Sequence, residues 1–197
     1  MSKNIFITGA NRGLGLGLLE KYAQKDNHVI VAAVRDPQSE SARRLADVAT
    51  GEGTKIVVVK IDSAIHEDAI SAVEKIQKDG ISHLDVVIAN AGISSIWPLI
   101  KDAKIEDIDA HMRTNVYGVV SLYQATRELL KASVELGKEP AFVLMGSMAG
   151  MIADQPPIPN SAYGPSKAAA HWFIIRMHAE DSWLNAFVMD PGSRLEE

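Results

Sequence analysis

The stretch NIFITGANRGLG, residues 4–15, decides the fold of this 197-residue chain. It opens with an apolar run short enough to be a buried strand, and residues 16–24 follow with apolar side chains at helical spacing. Glycines at positions 9, 13 and 15 separate the two. A glycine turn lets the backbone approach a diphosphate closely, and free N–H groups at the helix start complement its charge. The stretch therefore predicts a nucleotide site, although glycines alone would also fit an ordinary loop.

The composition limits the classes of protein to which the chain can belong. With 47% hydrophobic residues it can bury one sizeable core, and we expect a single domain over residues 1–197. A net charge of −5 argues against a nucleic-acid partner. Without an apolar run of spanning length or a leader pattern, no membrane partner is expected, and the cytoplasm is the expected location. Zero cysteines and unfavourable histidine spacing predict no metal site.

Apolar runs alternate with amphipathic helical patterns along the chain. Strands are predicted at residues 4–8, 29–34, 55–61, 84–89, 142–145 and 184–189. Helices are predicted at residues 16–24, 39–50, 67–78, 106–133 and 162–178. This alternation is typical of a parallel sheet covered on both faces. We therefore predict an α/β, Rossmann-like doubly wound parallel sheet of six strands in the order 3-2-1-4-5-6, with its ligand at the carboxyl ends of the strands.

The end of the second strand indicates which nucleotide binds. Ala33 or Val34 occupies the position where an acidic residue would bind the ribose hydroxyls of NADH. Arg35 follows directly, and Arg12 lies in the glycine turn. Two arginines and no acid favour NADPH over NADH. The alternative for Arg35 is a solvated charge paired with Asp36.

Four polar residues form a candidate catalytic set. Tyr163 and Lys167 are four apart at the start of a predicted helix and therefore share one helix face. A free phenol has a pKa of about 10, and an ammonium ion about 4 Å away can lower that value by about 3. Ser147 closes the fifth strand, and Asn115 lies inside a helix, where a bend or a bound water would give it a purpose. Alternatively, Tyr163 and Lys167 are surface residues and Asn115 is a satisfied polar residue.

Other aromatic and imidazole side chains receive a structural interpretation. Trp97, Trp172 and Trp183 are dispersed along the chain and are interpreted as core or interface aromatics. His171 and His178 lie seven apart on one predicted helix, a spacing that is more typical of packing than of a ligand site.

These motifs together resemble those of the short-chain dehydrogenase/reductase family. The glycine turn has the T-G-x-x-x-G-x-G spacing, Asn90-Ala91-Gly92 follows the fourth strand, and Asp62 follows the third. Asn115, Ser147, Tyr163 and Lys167 resemble the family's catalytic tetrad in the family's order. Segments around residues 31–37, 84–93 and 159–167 resemble fungal polyketide ketoreductases of the norsolorinic acid ketoreductase type.

The resemblance implies NADPH-dependent reduction of a ketone, with an aromatic or polyketide compound as the substrate. Tyr163 would give the proton, Ser147 would bind the carbonyl oxygen, Lys167 would hold the nicotinamide ribose and tune Tyr163, and Asn115 would hold a relay water. The implied cofactor-binding residues are Gly9, Asn11, Arg12, Gly13, Leu14, Gly15, Arg35, Asp62, Asn90, Ala91, Gly92, Tyr163, Lys167, Pro191 and Gly192. A homo-oligomer, dimer or tetramer, is implied through the helices predicted at 106–133 and 162–178.

The sequence departs from the family pattern after Pro191-Gly192. The family continues into a substrate lid and a seventh strand, whereas this sequence ends with residues 193–197, and both features are expected to be missing. Three interpretations stay open: a truncated form of a reductase, a natural short enzyme that catalyses a non-redox step such as dehydration, isomerisation or cyclisation, and a cofactor-binding pseudoenzyme or interaction protein.

Overall fold

The computed structural model describes residues 2–153, 155 and 158–192. In this part of the chain, six parallel strands form one sheet in the order β3-β2-β1-β4-β5-β6, which confirms the predicted fold and strand order. The strands are β1 (Asn4–Thr8), β2 (Val29–Val34), β3 (Lys55–Lys60), β4 (Val86–Ala89), β5 (Ala141–Met145) and β6 (Asn185–Met189). Because every pairing is parallel, each connection must cross over the sheet.

Helices supply these crossovers. Among the described residues they are α1 (Gly13–Ala23), α2 (Glu40–Arg43), α3 (His66–Lys78), α4 (Ile105–Met112), α5 (Gly118–Glu135) and α6 (Tyr163–Glu180). The helix predicted over residues 39–50 is shorter than expected. It tightens into a 3₁₀ turn at Arg44–Asp47, and the backbone becomes extended at the β-branched residue Val48.

The sheet is buried on both faces because its strands are apolar along their whole length. Successive side chains point to opposite faces, so the fully buried neighbours Ile5 and Phe6 belong to two different cores. The core that contains Phe6 includes Ile76 of α3 and Ile174 of α6. The core that contains Ile5 includes Leu19 of α1. This double cover matches the continuous apolar strands seen in the sequence.

The long helix predicted over residues 106–133 is present, with one feature that the sequence did not predict. A π-helical segment, Arg113–Tyr117, separates α4 from α5. Single π turns inside α-helices are rare and frequently lie at functional sites. This one contains Asn115, and the bend that an asparagine inside a helix suggested stays a prediction. Periodicity could not reveal the π-helical segment, since an extra residue in one turn hardly changes the apolar pattern.

The carboxyl ends of the strands meet at one edge of the sheet. The strand order reverses between β1 and β4, and ligands of doubly wound sheets bind in the crevice at this reversal. The glycine turn leaves β1 at this point, and residues 90–92 leave β4 beside it. The fold therefore brings these two predicted motifs together.

None of the helices in the described part of the chain combines the length and apolar character needed to cross a membrane. The cytoplasmic location stays a prediction. The predicted departure after Gly192, the missing seventh strand and lid, concerns a part of the chain that lies outside the described residues.

Candidate active site

The glycine turn after β1 has a backbone that requires glycine. Gly9 and Gly13 have φ values of 64° and 56°, a left-handed region in which a side chain would be strained. Gly15 has a packing role instead, because a Cβ there would lie 2.2 Å from the Gly9 carbonyl oxygen. Arg12, at the N-cap of α1, provides no side-chain acceptor. The N–H groups of the first helical turn therefore remain available to an anion.

Asn90 fastens the loop after β4 to the end of β1. Its Nδ2 donates to the Thr8 carbonyl oxygen at 2.9 Å. In return, the backbone N–H groups of Asn90 and Ala91 both donate to the Thr8 Oγ1, each at 3.0 Å. Thr8 is 4% exposed, so these bonds are sheltered from water. They fix the two loops that meet at the reversal of the strand order.

A cavity of about 570 Å³ opens above these loops. Ten of the residues predicted to bind the cofactor line it: Gly9, Asn11, Arg12, Gly13, Leu14, Arg35, Asp62, Asn90, Ala91 and Gly92. The other predicted cofactor residues lie outside its lining: Gly15, Tyr163, Lys167, Pro191 and Gly192. The ten predicted residues that line the cavity thus follow the carboxyl ends of four strands, β1, β2, β3 and β4.

The charged residues that line the cavity are two arginines, Arg12 and Arg35, and two aspartates, Asp36 and Asp62. Arg12 and Arg35 are both exposed at its edge, and neither forms a salt bridge with any described residue. The alternative pairing of Arg35 with Asp36 is therefore not seen. The Asp36 carboxylate instead accepts the backbone N–H of Gln38 at 2.8 Å. Both guanidinium groups remain free to bind an anionic ligand.

The sequence interpretation missed several lining residues. They are Asp36, Ser39, Ser41, Ile61, Ser63, Ile93 and Thr114. Asn11 donates from Nδ2 to the Ser41 Oγ at 2.7 Å, which ties the glycine turn to the start of α2. Ser39 and Ser41 lie at the start of α2, shortly after Arg35. Serine hydroxyl groups at a helix start that follows Arg35 were a usable signal for residues that line the same cavity.

Asn115 joins the π-helical segment to the loop after β4 and to α6. Its side chain is 1% exposed, its Oδ1 accepts the Ile93 N–H at 2.8 Å, and its Nδ2 donates to the Ile93 carbonyl oxygen at 2.9 Å. The second Nδ2 proton goes to the Ser166 Oγ, also at 2.9 Å. Both donors are thus used, and Oδ1 keeps one lone pair. Asn115 is a satisfied cross-link, and its relay water stays a prediction.

Ser147 and Tyr163 stand at the starts of two helical segments. Ser147 caps the 3₁₀ turn Met148–Gly150, where its Oγ accepts the Ala149 N–H at 3.2 Å and its own proton stays free to donate. Tyr163 begins α6. Burial raises the pKa of the Tyr163 phenol above its ordinary value, the neighbouring Ser147 side chain opposes this, and the Asp190 charge adds to it.

Lys167 is nearly enclosed, with 6% of its surface exposed. Burial lowers the pKa of its ammonium group to about 8. Its Nζ donates to the Met145 carbonyl oxygen at 2.8 Å and lies 5.7 Å from the centre of the Tyr163 ring. The predicted lowering of the Tyr163 pKa by Lys167 is wrong for this structure, since burial dominates and the net direction is upward. Burial could not be inferred from the spacing of two residues.

The cavity and the tetrad meet at Gly92. A Cβ on Gly92 would lie 3.1 Å from the Asn115 Oδ1 and 3.9 Å from the Lys167 Nζ. Gly92 and the next residue, Ile93, also line the cavity. Gly92 therefore lies between the cavity and the Lys167 ammonium group.

Two rings that the sequence did not single out for chemistry stand beside Tyr163. The Trp97 ring centre lies 5.9 Å from that of Tyr163, at an angle of 31°. Trp97 is 47% exposed and is therefore not a core residue, so of its two interpretations, core or interface aromatic, the interface role stays a prediction. His111 meets the Tyr163 ring edge-on at 6.4 Å and is fully buried.

The comparisons with known proteins agree with this geometry. A family model described as short chain dehydrogenase matches residues 3–186. The chain belongs to the short-chain dehydrogenase family. Among its relatives, the norsolorinic acid ketoreductase of Aspergillus parasiticus is 36% identical over 190 residues, which span 94% of this chain and 69% of the relative. The norsolorinic acid ketoreductase of Dothistroma septosporum is 37% identical over 94% of this chain and 70% of its own length.

Solved structures show the same short-chain dehydrogenase fold. The NADPH-bound carbonyl reductase from chicken fatty liver superposes with a TM-score of 0.89 at 23% identity, covering 100% of this chain and 80% of its own. The carbonyl reductase Sniffer of Caenorhabditis elegans gives a TM-score of 0.86 at 26% identity, covering 100% of this chain and 87% of its own. In this chain's described residues, no three histidine or acidic side chains are grouped to hold a metal ion, and the prediction of no metal stays a prediction.

Proposed function

We propose that this short-chain dehydrogenase reduces a ketone with NADPH and that Tyr163 donates the proton. The observation that carries the proposal is that Gly92, which lines the cavity together with the glycine turn and two arginines, lies next to Asn115 and Lys167. The printed functions of the relatives, norsolorinic acid ketoreductases, support the same reaction class.

The residues present fit a dinucleotide phosphate. Gly9 and Gly13 keep side chains away from the start of α1, whose N–H groups complement a diphosphate. Arg12 and Arg35 supply two positive charges on the same cavity, as a 2′-phosphate requires. Asp62 lines the cavity farther along, where the family resemblance assigns it to the adenine pocket.

When bound, NADPH would supply hydride to the carbonyl carbon. Tyr163 would transfer its phenolic proton to the carbonyl oxygen, so that a ketone becomes a secondary alcohol. A phenol with a raised pKa stays protonated at neutral pH, which suits a proton donor in the direction of reduction. Ser147 would donate its free hydroxyl proton to the same oxygen, since its Oγ already accepts from Ala149.

Lys167 would bind the ribose hydroxyls and sustain the positive potential beside Tyr163. Its pKa of about 8 keeps it mainly charged at neutral pH. One of its three N–H donors is directed to Met145, which leaves two for a ligand. Asn115 would fix the loop at Ile93 and thereby the width of the cavity next to Lys167.

We further propose an aromatic ketone, such as a polyketide intermediate, as the substrate. The half-exposed Trp97 ring beside Tyr163 offers a flat apolar surface where a substrate ring can stack. Its loop also meets the loop before α6, because the Ser161 N–H donates to the Pro98 carbonyl oxygen at 3.1 Å. The same two loops carry further exposed apolar residues: Leu99, Ile100, Met148, Met151, Ile152 and Ile158.

The substrate proposal is tested by comparing planar and small ketones. Removing a stacking ring costs about 0.5–1.5 kcal/mol, so Trp97→Leu should raise KM for a polycyclic aromatic ketone by about 3–10-fold. The KM for a small aliphatic ketone should stay unchanged. Trp97→Phe keeps an aromatic face and should retain most of the affinity. Equal effects on both ketones would contradict stacking.

The reductase proposal is tested by titrating the purified chain with NADPH and NADH and then assaying ketone-dependent NADPH oxidation. Tyr163→Phe should lower kcat by about 10²–10⁴-fold without weakening NADPH binding. Arg35→Asp should weaken NADPH binding by about 10–100-fold, since it removes one charged hydrogen bond. Arg43→Asp makes the same charge change on α2 outside the cavity and controls for long-range effects. Product formation without any nucleotide would exclude the redox proposal.

We also propose that the enzyme is a homodimer or a tetramer. α5 and α6 are the helices that the family resemblance pairs between subunits. Large side chains on or beside them are exposed: Tyr117 at 54%, Trp172 at 59% and Ile175 at 66%. Apolar exposure of this extent favours an interface. A sedimentation mass equal to one chain would contradict it.

A further inference from the structure

His171 lies against the turn that carries Ser147, four residues after Lys167 on α6. A Cβ on Gly146 would approach its Nε2 to 2.9 Å, and a Cβ on Gly150 would approach its Cε1 to 2.8 Å. The ring therefore occupies the space that these two glycines leave on either side of Ser147. Its position differs from that of His178 on the same helix, whose Nδ1 lies 2.9 Å from the Leu184 carbonyl oxygen.

A hydrogen bond joins the imidazole to the backbone of Ser147. The Ser147 N–H donates to the His171 Nε2 at 3.4 Å. This nitrogen can accept only while it carries no proton, so the bond requires a neutral ring with its proton on Nδ1. A protonated ring would direct an N–H group at the Ser147 N–H.

The rest of the turn depends on the position of Ser147. Its carbonyl oxygen accepts the Gly150 N–H at 2.9 Å, and its Oγ accepts the Ala149 N–H at 3.2 Å. Gly146 is anchored separately, since its N–H donates to the Met189 carbonyl oxygen at 2.8 Å. A shift of the Ser147 backbone would therefore move the hydroxyl that we assign to the carbonyl oxygen of the substrate.

The charges that face His171 favour its neutral form. Lys167 approaches from α6 and Asp190 from the end of β6. Burial lowers the pKa of His171 below its ordinary value, the Lys167 charge lowers it further, and the Asp190 charge opposes both. Near neutral pH the ring is accordingly an acceptor, and acid converts it into a cation beside a second cation.

We propose that neutral His171 is a positioning residue that holds Ser147 in its reactive place through the Ser147 N–H, and that protonation of the ring releases this turn. The proposal rests on the reductase function proposed above, because Ser147 acts there on the substrate oxygen. His171 is not a member of the tetrad, and its protonation in acid would change the position of Ser147.

The kinetic test uses two substitutions at His171 and one control. His171→Gln places an amide oxygen near the position of Nε2 and cannot titrate, so activity near neutral pH should be largely retained. In the wild type, kcat/KM should fall about tenfold per pH unit on the acid side of the His171 titration, and this limb should be absent in His171→Gln. His178→Gln should keep the wild-type limb. His171→Leu, with no acceptor, should lose about tenfold in kcat while its Kd for NADPH changes little.

A second measurement needs no activity. Nitrogen NMR of the imidazole rings in the purified chain reports tautomer and protonation, and the Ser147 amide signal reports the bond. We expect the Nδ1–H tautomer of His171 and a Ser147 amide shift that follows the His171 titration. A wild type that oxidises no NADPH with any ketone would overturn the reductase function, and the NMR result would then decide the His171 proposal by itself.

Two results would overturn the proposal for His171. One is an acid limb that persists unchanged in a folded His171→Gln enzyme. The other is a His171 ring that carries its proton on Nε2 near neutral pH, because that tautomer cannot accept the Ser147 N–H.

Discussion

A buried charge lies at each end of α6, and the two differ in the number of their hydrogen-bond partners. Lys167 lies in the first turns of the helix and is 6% exposed, and Asp181 follows the last turn and is also 6% exposed. Among the described residues, the Asp181 carboxylate accepts hydrogen bonds from three side chains, whereas the Lys167 ammonium group donates to one carbonyl oxygen. The two sites therefore separate a charge buried for stability from a charge buried for chemistry.

Asp181 is surrounded by donors. Arg127 donates to it from Nε at 2.7 Å and from Nη2 at 2.6 Å, Trp183 donates from Nε1 at 3.1 Å, and the Tyr123 hydroxyl donates as well. The hydrogen bonds from Arg127 hold the pKa of Asp181 below its ordinary value, against the opposing effect of burial. Burial and the Asp181 contact raise the pKa of Tyr123 to about 12.

Among the residues that the structure describes, Lys167 Nζ has one acceptor, the Met145 carbonyl oxygen. Within the described residues no carboxylate forms a salt bridge with its Nζ, and burial alone moves its pKa toward the neutral form. A structure selected only for stability would pair or replace such a charge. A ligand in the neighbouring cavity could accept hydrogen bonds from the two remaining N–H donors of Lys167. Keeping these donors free lowers the stability of the folded protein.

The largest effect is expected from removing the paired charge. Asp181→Ala removes the acceptor shared by Arg127, Trp183 and Tyr123 and leaves Arg127 its exposed salt bridge to Glu128, so the free energy of unfolding should fall by about 2–4 kcal/mol. Urea unfolding measures the change. Asp79→Ala is the matched control, since its salt bridge to Lys75 is solvent-exposed and worth less than about 1 kcal/mol. Equal losses in the two variants would refute the distinction between the two ends of α6.

Removing the unpaired charge should have the opposite sign. A pKa lowered from 10.5 to about 8 corresponds to roughly 3 kcal/mol of unfavourable burial, and loss of the bond to Met145 offsets about 1 kcal/mol of it. Lys167→Met should therefore raise the free energy of unfolding by about 2 kcal/mol near neutral pH while it abolishes ketone reduction. Lys131→Met, at an exposed position on α5, should change neither quantity. A destabilised Lys167→Met chain would contradict the argument.

Much of the fold follows from the sequence because its signals are local. The apolar strands predict burial on both faces, and the glycine turn marks the first crossover, so the strand order could be predicted before any contact was known. The π-helical segment Arg113–Tyr117 could not be predicted, because it is associated with contacts of Asn115 to a loop twenty-two residues earlier.

For the candidate site too, the sequence predicts some features, and others depend on tertiary burial. Residue types and their order predicted ten of the residues that line the cavity, while the tetrad stays a prediction. The directions of the pKa shifts at Tyr163 and Lys167 depend on burial, which no spacing in the sequence reports. The Asp181 cluster also went unnoticed, since Tyr123 and Arg127 lie more than fifty residues away from it in the chain.

The pH dependence of stability provides a third comparison. Between pH 8 and 10.5 the folded chain loses the Lys167 proton while the unfolded chain keeps it, so this group makes the protein more stable as pH rises. Relative to Lys167→Met, the wild type should gain about 1–2 kcal/mol from pH 7.5 to 9.5. Asp181 acts at the other extreme, because its stabilisation is lost as acid protonates it through its lowered pKa. Unfolding curves at each pH, with wild type and variant side by side, measure the difference.

The smallest change in the free energy of unfolding should come from removing one hydrogen-bond donor of Asp181 while the others remain. Tyr123→Phe removes one donor, but Arg127 and Trp183 still satisfy the carboxylate, so the free energy of unfolding should fall by only about 1 kcal/mol. Tyr22→Phe is the control, since its hydroxyl has no hydrogen bond to any described residue, and it should change stability by less than about 0.5 kcal/mol. A Tyr123→Phe loss as large as that of Asp181→Ala would mean that the hydroxyl, and not the Arg127 pair, keeps the charge buried at this end of α6.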